Sequence, residues 1–299
     1  MSLHHKTLTY TSPVFRLFRN VGAKLRMVNN NHLRVLIFHD IPPNQEAAFQ
    51  RQLVWIQQNR RIVSPAKFEK MISGDEPVVG DNVLITFDDG LISNRTVAEK
   101  ILNPMGIQAV FFVVSDFVEI QNREEAHQFI AKHIIPGAKK EEIPKGWSNM
   151  QWPDLEALLE QGHTIGGHTK RHARLAEGIS NKELVDELIA SAEHMESKLG
   201  NKVEHFAYTF GDIDSFCQEA LSVASRKFKY IYSGVRGDNA KSVSPLAIRR
   251  DAAAFQDTSY EYVLFNDNLL DSFLGGAADF HYRNAQKMLD FWAQSINYK

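Results

Sequence analysis

The stretch "LITFDDG", residues 84–90, joins an apolar run to two adjacent carboxylates and a glycine. A short apolar, β-branched run that ends at a turn signal predicts a buried strand of a parallel sheet. Asp88 and Asp89 repel each other, so open solvent, a cation or a shared proton must offset that repulsion. Chemistry collects at the carboxyl ends of strands in parallel α/β folds, so we expect a functional site at this turn.

Strand-like runs alternate with helical patterns on both sides of this stretch. The predicted strands are 34–39, 82–87, 108–114, 164–167, 203–208, 228–233 and 246–250. The helical patterns between them are 45–58, 93–102, 152–161, 181–199 and 214–227. Seven strands with about one helix each predict an α/β fold in a single domain, either barrel-like or doubly wound.

We place this domain at 32–255, between an N-terminal extension, 1–31, and a helical C-terminal tail, 256–299. A charged insertion at about 117–147 is longer than an ordinary connection; we expect it to be partly helical and to cover the strand ends. Within the extension, 12–26 sets apolar residues at helical spacing among four basic residues and no acidic one. Such a helix either packs on the domain with a solvated basic face or makes peripheral contact with an anionic membrane.

Composition excludes several classes of protein. The chain has 299 residues, 43% of them hydrophobic, and a net charge of −2, which predicts a globular protein that does not bind nucleic acid. Cys217 is the only cysteine, so an intrachain disulfide and a thiolate metal cluster are both excluded. Apolar runs are too short to span a bilayer, and the N-terminus lacks a signal-peptide core. We expect a cytoplasmic location, peripheral at the inner membrane face if 12–26 binds lipid.

Two histidines supply ligands that could neutralise the paired carboxylates. "HTKRH", 168–172, places His168 and His172 four residues apart, a spacing that one helical turn or a compact loop brings to one face. Together with Asp89 they make the ligand set of an open, hydrolytic zinc-type site. Such a pair alone is as easily a solvated helix face, but its combination with a strand-terminal Asp-Asp pair is far more specific.

Three segments in chain order, "TFDDG", "IGGHTKRHARL" and "FAYTFGD", resemble the motifs of the polysaccharide deacetylases, the fourth family of carbohydrate esterases. The resemblance covers about residues 32–251 and implies a distorted (β/α)7-type barrel. It also implies that Asp88 is the general base and that Asp89, His168 and His172 hold a divalent metal. Zinc suits these ligands best, although cobalt, nickel and iron accept them too.

The third motif departs from the family pattern. The resemblance assigns the oxyanion contact to the backbone N–H of Phe210, but Thr209 stands where the family has a proline. Ala207 likewise replaces an arginine that orients the base. Arg249, in "PLAIRRD", resembles the arginine that one subgroup supplies instead. Arg249 and its neighbour Arg250 would face opposite ways on a strand, so only one of them can serve.

The general acid is the remaining role. "LIFHDI", 36–41, resembles the N-terminal strand end of the circularly permuted deacetylases, which makes His39 the expected acid. A purely structural hydrogen-bonding role is the alternative for a histidine at this place. His281, in "DFHYR", matches the family's C-terminal histidine motif poorly.

Together these features predict a metal-dependent hydrolase that removes N-acetyl groups from amino sugars of a polysaccharide or glycolipid precursor. Its expected partner is thus an N-acetylated glycan or glycolipid, and the sequence does not give the oligomeric state. One alternative is a catalytically impaired metal- and glycan-binding module, suggested by Thr209 and Ala207. Another is an O-acetyl esterase or a non-sugar amidase that uses the same site.

Overall fold

A computed structural model describes residues 31–240, 243–252, 267–277 and 279–297. The described strands are β1 (His32–Phe38), β2 (Arg61–Ile62), β3 (Asp81–Phe87), β4 (Val110–Val113), β5 (Thr164–Gly167), β6 (His205–Ala207), β7 (Tyr230–Tyr232) and β8 (Asp251–Ala252). The predicted N-terminal extension, including 12–26, lies outside these residues except for Asn31. In the part of the chain that is described, no helix is both long and apolar enough to cross a membrane.

Helices separate most of the strands. They are α1 (Glu46–Asn59), α2 (Pro65–Ser73), α3 (Ile92–Val97), α4 (Ser115–Val118), α5 (Arg123–Phe129), α6 (Trp152–Glu160), α7 (Asn181–Leu184), α8 (Ser191–Leu199), α9 (Gln218–Ala224), α10 (Asp267–Leu274) and α11 (Arg283–Asn297). Wider π turns extend α3 over Ala98–Leu102 and α5 over Ile130–Ile134, and a third, Val185–Ala190, joins α7 to α8. Short 3₁₀ turns cover Pro43–Gln45, Lys140–Glu142, Ile213–Ser215 and Asp279–Tyr282.

The strands form one curled parallel sheet. Its order is β7-β6-β5-β4-β3-β1-β8, with β2 paired to the start of β3. The segment 245–252 brings the two edges together, because Ile248 N donates to Ile231 O at 2.9 Å while Asp251 pairs with Leu36 of β1. The predicted α/β, (β/α)7-type barrel in a distorted form is thereby confirmed.

Local sequence explains where the elements begin and end. In β3 every residue from Asn82 to Phe87 is buried, as a parallel strand covered on both faces requires. Helix α2 begins at Ser64, whose side chain accepts from Lys67 N, and ends at Gly74, whose φ of 86° favours glycine. The sequence interpretation missed β2 and α2, although Ser64 and Gly74 are recognisable helix boundaries.

Aromatic side chains fill the main core. Phe87 of β3 and Phe111 of β4 stack with centroids 5.0 Å apart, and Phe38 meets Phe49 of α1 edge to face at the same distance. A second, smaller core lies under the predicted insertion and includes Leu91, Val114, Phe117, Ala126, Ile130, Ile134 and Ile143. The insertion is helical in part, as predicted, and has an apolar anchor of its own.

The predicted elements differ from the structure mainly at the end of the barrel. The last strand was expected at 246–250, but the described ladder is Asp251–Ala252, and Ile248 makes only an isolated bridge to Tyr232. The expected tail helix is present as α11, and its Leu289 and Ala293 belong to the main core. The tail is therefore packed into the barrel wall.

Candidate active site

The predicted site residues converge on the carboxyl end of the sheet. Asp88 and Asp89 follow β3, His168 follows β5 and Phe210 lies three residues after β6. Because all these strands run parallel, their final residues meet at one rim of the barrel. The geometry of Asp89, His168 and the nearby His172 indicates a cation site.

Asp89, His168 and His172 place one potential ligand atom each within 4.8 Å of one another. The Nε2 atoms of His168 and His172 lie 3.5 and 3.3 Å from the same carboxylate oxygen, Asp89 Oδ1. All three residues are buried. These are the donor types and the spacing that a small divalent cation accepts.

Backbone carbonyls fix the orientation of both imidazoles. His168 Nδ1 donates to Ala207 O and His172 Nδ1 donates to His133 O, each at 2.8 Å. A carbonyl can only accept, so each Nδ1 carries the hydrogen and each neutral ring presents an Nε2 lone pair to Asp89. Lone pairs facing a carboxylate need a proton or a cation between them, and the donor set therefore fits a metal.

Charge effects follow this geometry. Burial alone would raise the pKa of Asp89, but hydrogen bonds that the Nε2 atoms of His168 and His172 donate when these rings are protonated hold it well below its usual value. Burial would lower the pKa of His172, but Asp89 and the His133 carbonyl outweigh burial and raise it. A proton and a cation would therefore compete for the space between Asp89 and the two rings.

Arg250 holds Asp88 in place. Its Nη1 and Nη2 donate to Asp88 Oδ1 and Oδ2 at 2.7 and 2.9 Å, and its Nε donates to Ser233 O at 3.0 Å. Burial would raise the pKa of Asp88, but the positive charge of Arg250, the largest of the opposing effects, lowers it below its ordinary value. Asp88 is thus an ionised carboxylate next to the ligand cluster.

Arg249, the residue expected to orient Asp88, does not reach it. Its Nη2 lies 2.6 Å from Asp290 Oδ2 and its Nη1 lies 3.2 Å from Asp238 O. The side chains of Arg249 and Arg250 bind different carboxylates, so Arg250 is the arginine that contacts Asp88 and the prediction of Arg249 is wrong.

Backbone strain is concentrated at this rim. Among the described residues, the only non-glycine residues with positive φ are Asp89 (76°), Thr169 (62°), His172 (58°) and Phe210 (63°). Each belongs to the ligand cluster or lies beside it. Non-glycine residues persist in this region only where their surroundings over-determine them, and such strain clusters at functional sites.

The loop after β6 carries the predicted oxyanion contact. Phe210 is 37% exposed, its ring centroid lies 4.7 Å from that of His172, and Arg174 stacks on its face. Within the described ranges the Phe210 N–H donates to no protein acceptor. Thr209 Oγ1, in place of the family's proline, donates to Ala173 O at 2.5 Å and so ties this loop to the His172 loop.

His39 follows β1 and is exposed at the same rim. Its imidazole lies close enough to Asp88 and Asp89 for a positive charge on it to favour both carboxylates. His281 lies in the 3₁₀ turn Asp279–Tyr282, and Asp279 of that turn contacts Arg34, near the amino end of β1. The two candidate acids therefore lie near opposite ends of β1.

Two groups at the site were not predicted from the sequence. The insertion supplies the His133 carbonyl to His172, and a backbone acceptor can belong to any residue type. Glu187 accepts hydrogen bonds from the loop between the two histidines, although it lies 15 residues beyond that loop's last histidine. The only sequence signal for Glu187 is that it is an acidic residue within a predicted helix, and this does not identify its role.

The fold is a barrel of parallel strands, and its rim carries a buried Asp-His-His cluster beside a carboxylate that an arginine holds. These features define an α/β-barrel protein with a candidate hydrolytic centre. Comparison with family models matches residues 75–227, just over half of the chain, to the polysaccharide deacetylases. The chain therefore belongs to the polysaccharide deacetylase family. Comparison with curated proteins gave no significant match.

Solved structures share the fold at low identity. The structure of IcaB from Ammonifex degensii is 20% identical, covers 88% of this chain and 97% of its own, and has a TM-score of 0.62. The Streptococcus pyogenes deacetylase PplD, solved with acetate, is 18% identical over 82% of this chain and 99% of its own, with a TM-score of 0.61. The BpsB deacetylase domain from Bordetella bronchiseptica is 19% identical over 75% of this chain and 96% of its own, with a TM-score of 0.59.

Proposed function

We propose that this chain is a metal-dependent deacetylase that removes N-acetyl groups from the amino sugars of a polysaccharide or a glycolipid precursor. The observation that carries the proposal is the Asp89-His168-His172 cluster beside Asp88, which Arg250 holds by two hydrogen bonds. Membership of the polysaccharide deacetylase family supplies the substrate class. Two proteins that share the fold, PplD and the BpsB domain, are deacetylases.

Asp89, His168 and His172 would hold the cation, which we expect to be zinc, with cobalt, nickel and iron as the other candidates. When bound, it would supply Lewis-acid activation of water and of the acetyl carbonyl. The buried ring nitrogens and the single shared carboxylate oxygen leave further coordination positions for water and substrate.

The remaining roles belong to groups around the cluster. Asp88 would accept a proton from the attacking water, and its lowered pKa keeps it ionised for this task. The uncommitted N–H of Phe210 would donate to the oxyanion of the tetrahedral intermediate. His39, exposed at the rim, would protonate the departing amine, which leaves poorly without a proton.

Acetate release tests this proposal against its alternatives. Purified protein is stripped with a chelator, reloaded with zinc, and assayed on N-acetylglucosamine oligomers and on an aryl acetate ester. We expect zinc-dependent acetate release from the oligomers. Ester cleavage without oligomer deacetylation would instead indicate an O-acetyl esterase, and zinc binding without either activity would indicate a metal- and glycan-binding module.

The cellular setting is part of the proposal. A glycolipid precursor is presented at a membrane, and the basic stretch 12–26 is the segment that would contact its anionic face. We place the protein in the cytoplasm, peripheral to the membrane. Fractionation of cells that express the full chain, or a variant with the four basic residues of 12–26 changed to glutamine, tests this placement.

A further inference from the structure

Glu187 is a buried carboxylate that contacts the loop between the two histidines. Only 2% of the residue is exposed. Its Oε2 accepts hydrogen bonds from Lys170 N and Arg171 N, each at 2.9 Å, and its Oε1 lies 2.6 Å from Arg171 Nη2. A carboxylate buried this deeply needs such donors, since desolvation would otherwise be very costly.

The loop that Glu187 binds is the strained one. Thr169 and His172, which flank the two bonded amides, both have positive φ. The hydrogen bonds from two successive N–H groups fix the path of the chain between them, and Arg171 fixes the carboxylate from its other side. Glu187 therefore supplies part of the restraint that a left-handed His172 requires.

The position of Glu187 is itself unusual. It lies in the π turn Val185–Ala190, where the helix that starts at α7 widens before it continues as α8. A π turn shifts the register of the following residues and often occurs at functional sites. Here it accompanies a side chain that turns inward to the loop, while Asp186 beside it stays at the surface.

We propose that Glu187 is a positioning residue for the cation site: it sets the spacing of His168 and His172 and thereby raises the affinity of the protein for its metal. The inference rests on the proposed metal-dependent function and adds a residue outside the three ligands. Partners that orient metal ligands typically change metal affinity by about 10- to 100-fold when they are lost.

Asp186 provides a matched control. It binds the side chains of the same two residues, with Lys170 Nζ at 2.8 Å and Arg171 Nη2 at 3.1 Å, but its own side chain is 37% exposed. Within the described residues it accepts no backbone N–H of the 168–172 loop. Loss of its charge alters the local charge balance but leaves the backbone restraint intact.

The experiment compares Glu187→Gln with Asp186→Asn in the full chain. In Glu187→Gln one oxygen becomes an NH₂ group, so a donor faces either the loop amides or Arg171. Zinc affinity is measured by competition with a chromophoric chelator, and the visible spectrum of the cobalt-loaded protein reports ligand geometry. We expect about 10- to 100-fold weaker zinc binding and an altered cobalt spectrum for Glu187→Gln. Asp186→Asn should stay within about threefold of the parent.

Unfolding of the metal-free proteins separates positioning from a general loss of structure. If Glu187→Gln does not fold, Glu187→Asp keeps the charge but withdraws the carboxylate, and it should weaken zinc binding in the same direction. Parent-like zinc affinity and cobalt spectra in a folded Glu187 variant would overturn this inference alone. A parent protein that binds no zinc would overturn the proposed metal centre and this inference together.

Discussion

Arg250 and Arg249 are adjacent in the chain but bind different carboxylates. Arg250 is 1% exposed and donates to both oxygens of Asp88, whereas Arg249 binds Asp290 of the tail helix. A bidentate pair between two buried groups is strong only while both partners are present, because loss of one leaves an unpaired buried charge. The protonation state of Asp88 therefore depends more on Arg250 than on any other side chain.

The first prediction is that Arg250→Met moves the acidic limb of the pH profile. Without the guanidinium, burial still raises the pKa of Asp88 and its largest opposing contribution is gone. The base would then be protonated over a wider range, so the acidic fall in kcat/KM for acetate release should occur at higher pH. Arg249→Met is the matched control, and its limb should coincide with that of the parent. Coincident limbs for all three proteins would contradict the prediction.

The second prediction separates base from ligand at the paired carboxylates. Asp88→Asn should keep bound metal and lose turnover, because Asp88 lies beside the cluster but is held by Arg250. Asp89→Ala, His168→Ala and His172→Ala should each lose metal, since each removes one of three ligands. Metal content by elemental analysis, measured beside acetate release, checks both expectations. Metal-free or fully active Asp88→Asn protein would show that this division of roles is wrong.

The third prediction assigns the proton donor. His39→Ala should lose about 10²- to 10⁴-fold in rate on an N-acetyl sugar, because the amine leaves poorly without a positioned acid. The same variant should keep most of its activity on an aryl acetate ester and all of its metal. His281→Ala, in the turn whose Asp279 contacts Arg34, should match the parent on both substrates. Equal losses on amide and ester for His39→Ala would indicate a positioning role instead.

At the scale of elements, hydrophobic patterning was enough to locate the buried strands and most helices. Runs such as 82–87 and 164–167 have the composition of strands covered on both faces, and the structure has β3 and β5 there. Two-residue strands such as β2 and β8 contain no periodicity, so the sequence pattern could not place them.

The insertion connects two sides of the rim. At one end Trp147 Nε1 donates to Asp40 Oδ2 at 2.6 Å, next to His39, and nearer its middle the His133 carbonyl accepts from His172. Asp40 is buried, and burial raises its pKa even though hydrogen bonds with Ser93 and Trp147 lower it. The insertion is therefore attached to the strand ends on both sides of the cluster.

The fourth prediction is that Trp147→Phe releases this attachment while it keeps an aromatic ring in the second core. The substitution removes a hydrogen bond to the buried Asp40 carboxylate, and this loss should lower the free energy of unfolding by about 1.5–3 kcal/mol. We expect faster proteolysis within 120–147 and a changed KM for long oligomers, with metal affinity retained. Trp55→Phe, the same replacement in α1, is the control. Parent-like proteolysis and KM in Trp147→Phe would show that the contact does not restrain the insertion.

At the scale of the whole molecule, the described part of the tail completes the barrel. The sequence predicted a helical tail, where the structure has α11, but could not show which charges of the barrel this helix would meet. Ion pairs between residues that are more than 200 positions apart in the chain depend on the folded topology, and no local pattern encodes them. Arg34 of β1, for example, binds Asp251 of β8 and Asp279 of the tail.

The last prediction compares two aspartates of the tail. Arg34 is 1% exposed, and both of its terminal nitrogens donate to Asp279, at 3.1 and 2.6 Å. Asp279→Ala leaves this buried cation with Asp251 alone, so we expect a loss of about 3 kcal/mol in the free energy of unfolding. Asp290, whose side chain is 36% exposed, pairs with Arg249, and Asp290→Ala should cost at most about 1 kcal/mol. Paired urea titrations measure the difference. Equal losses would mean that the buried Arg34–Asp279 pair contributes no more to stability than the exposed Arg249–Asp290 pair. The tail would then stabilise the barrel through its apolar face.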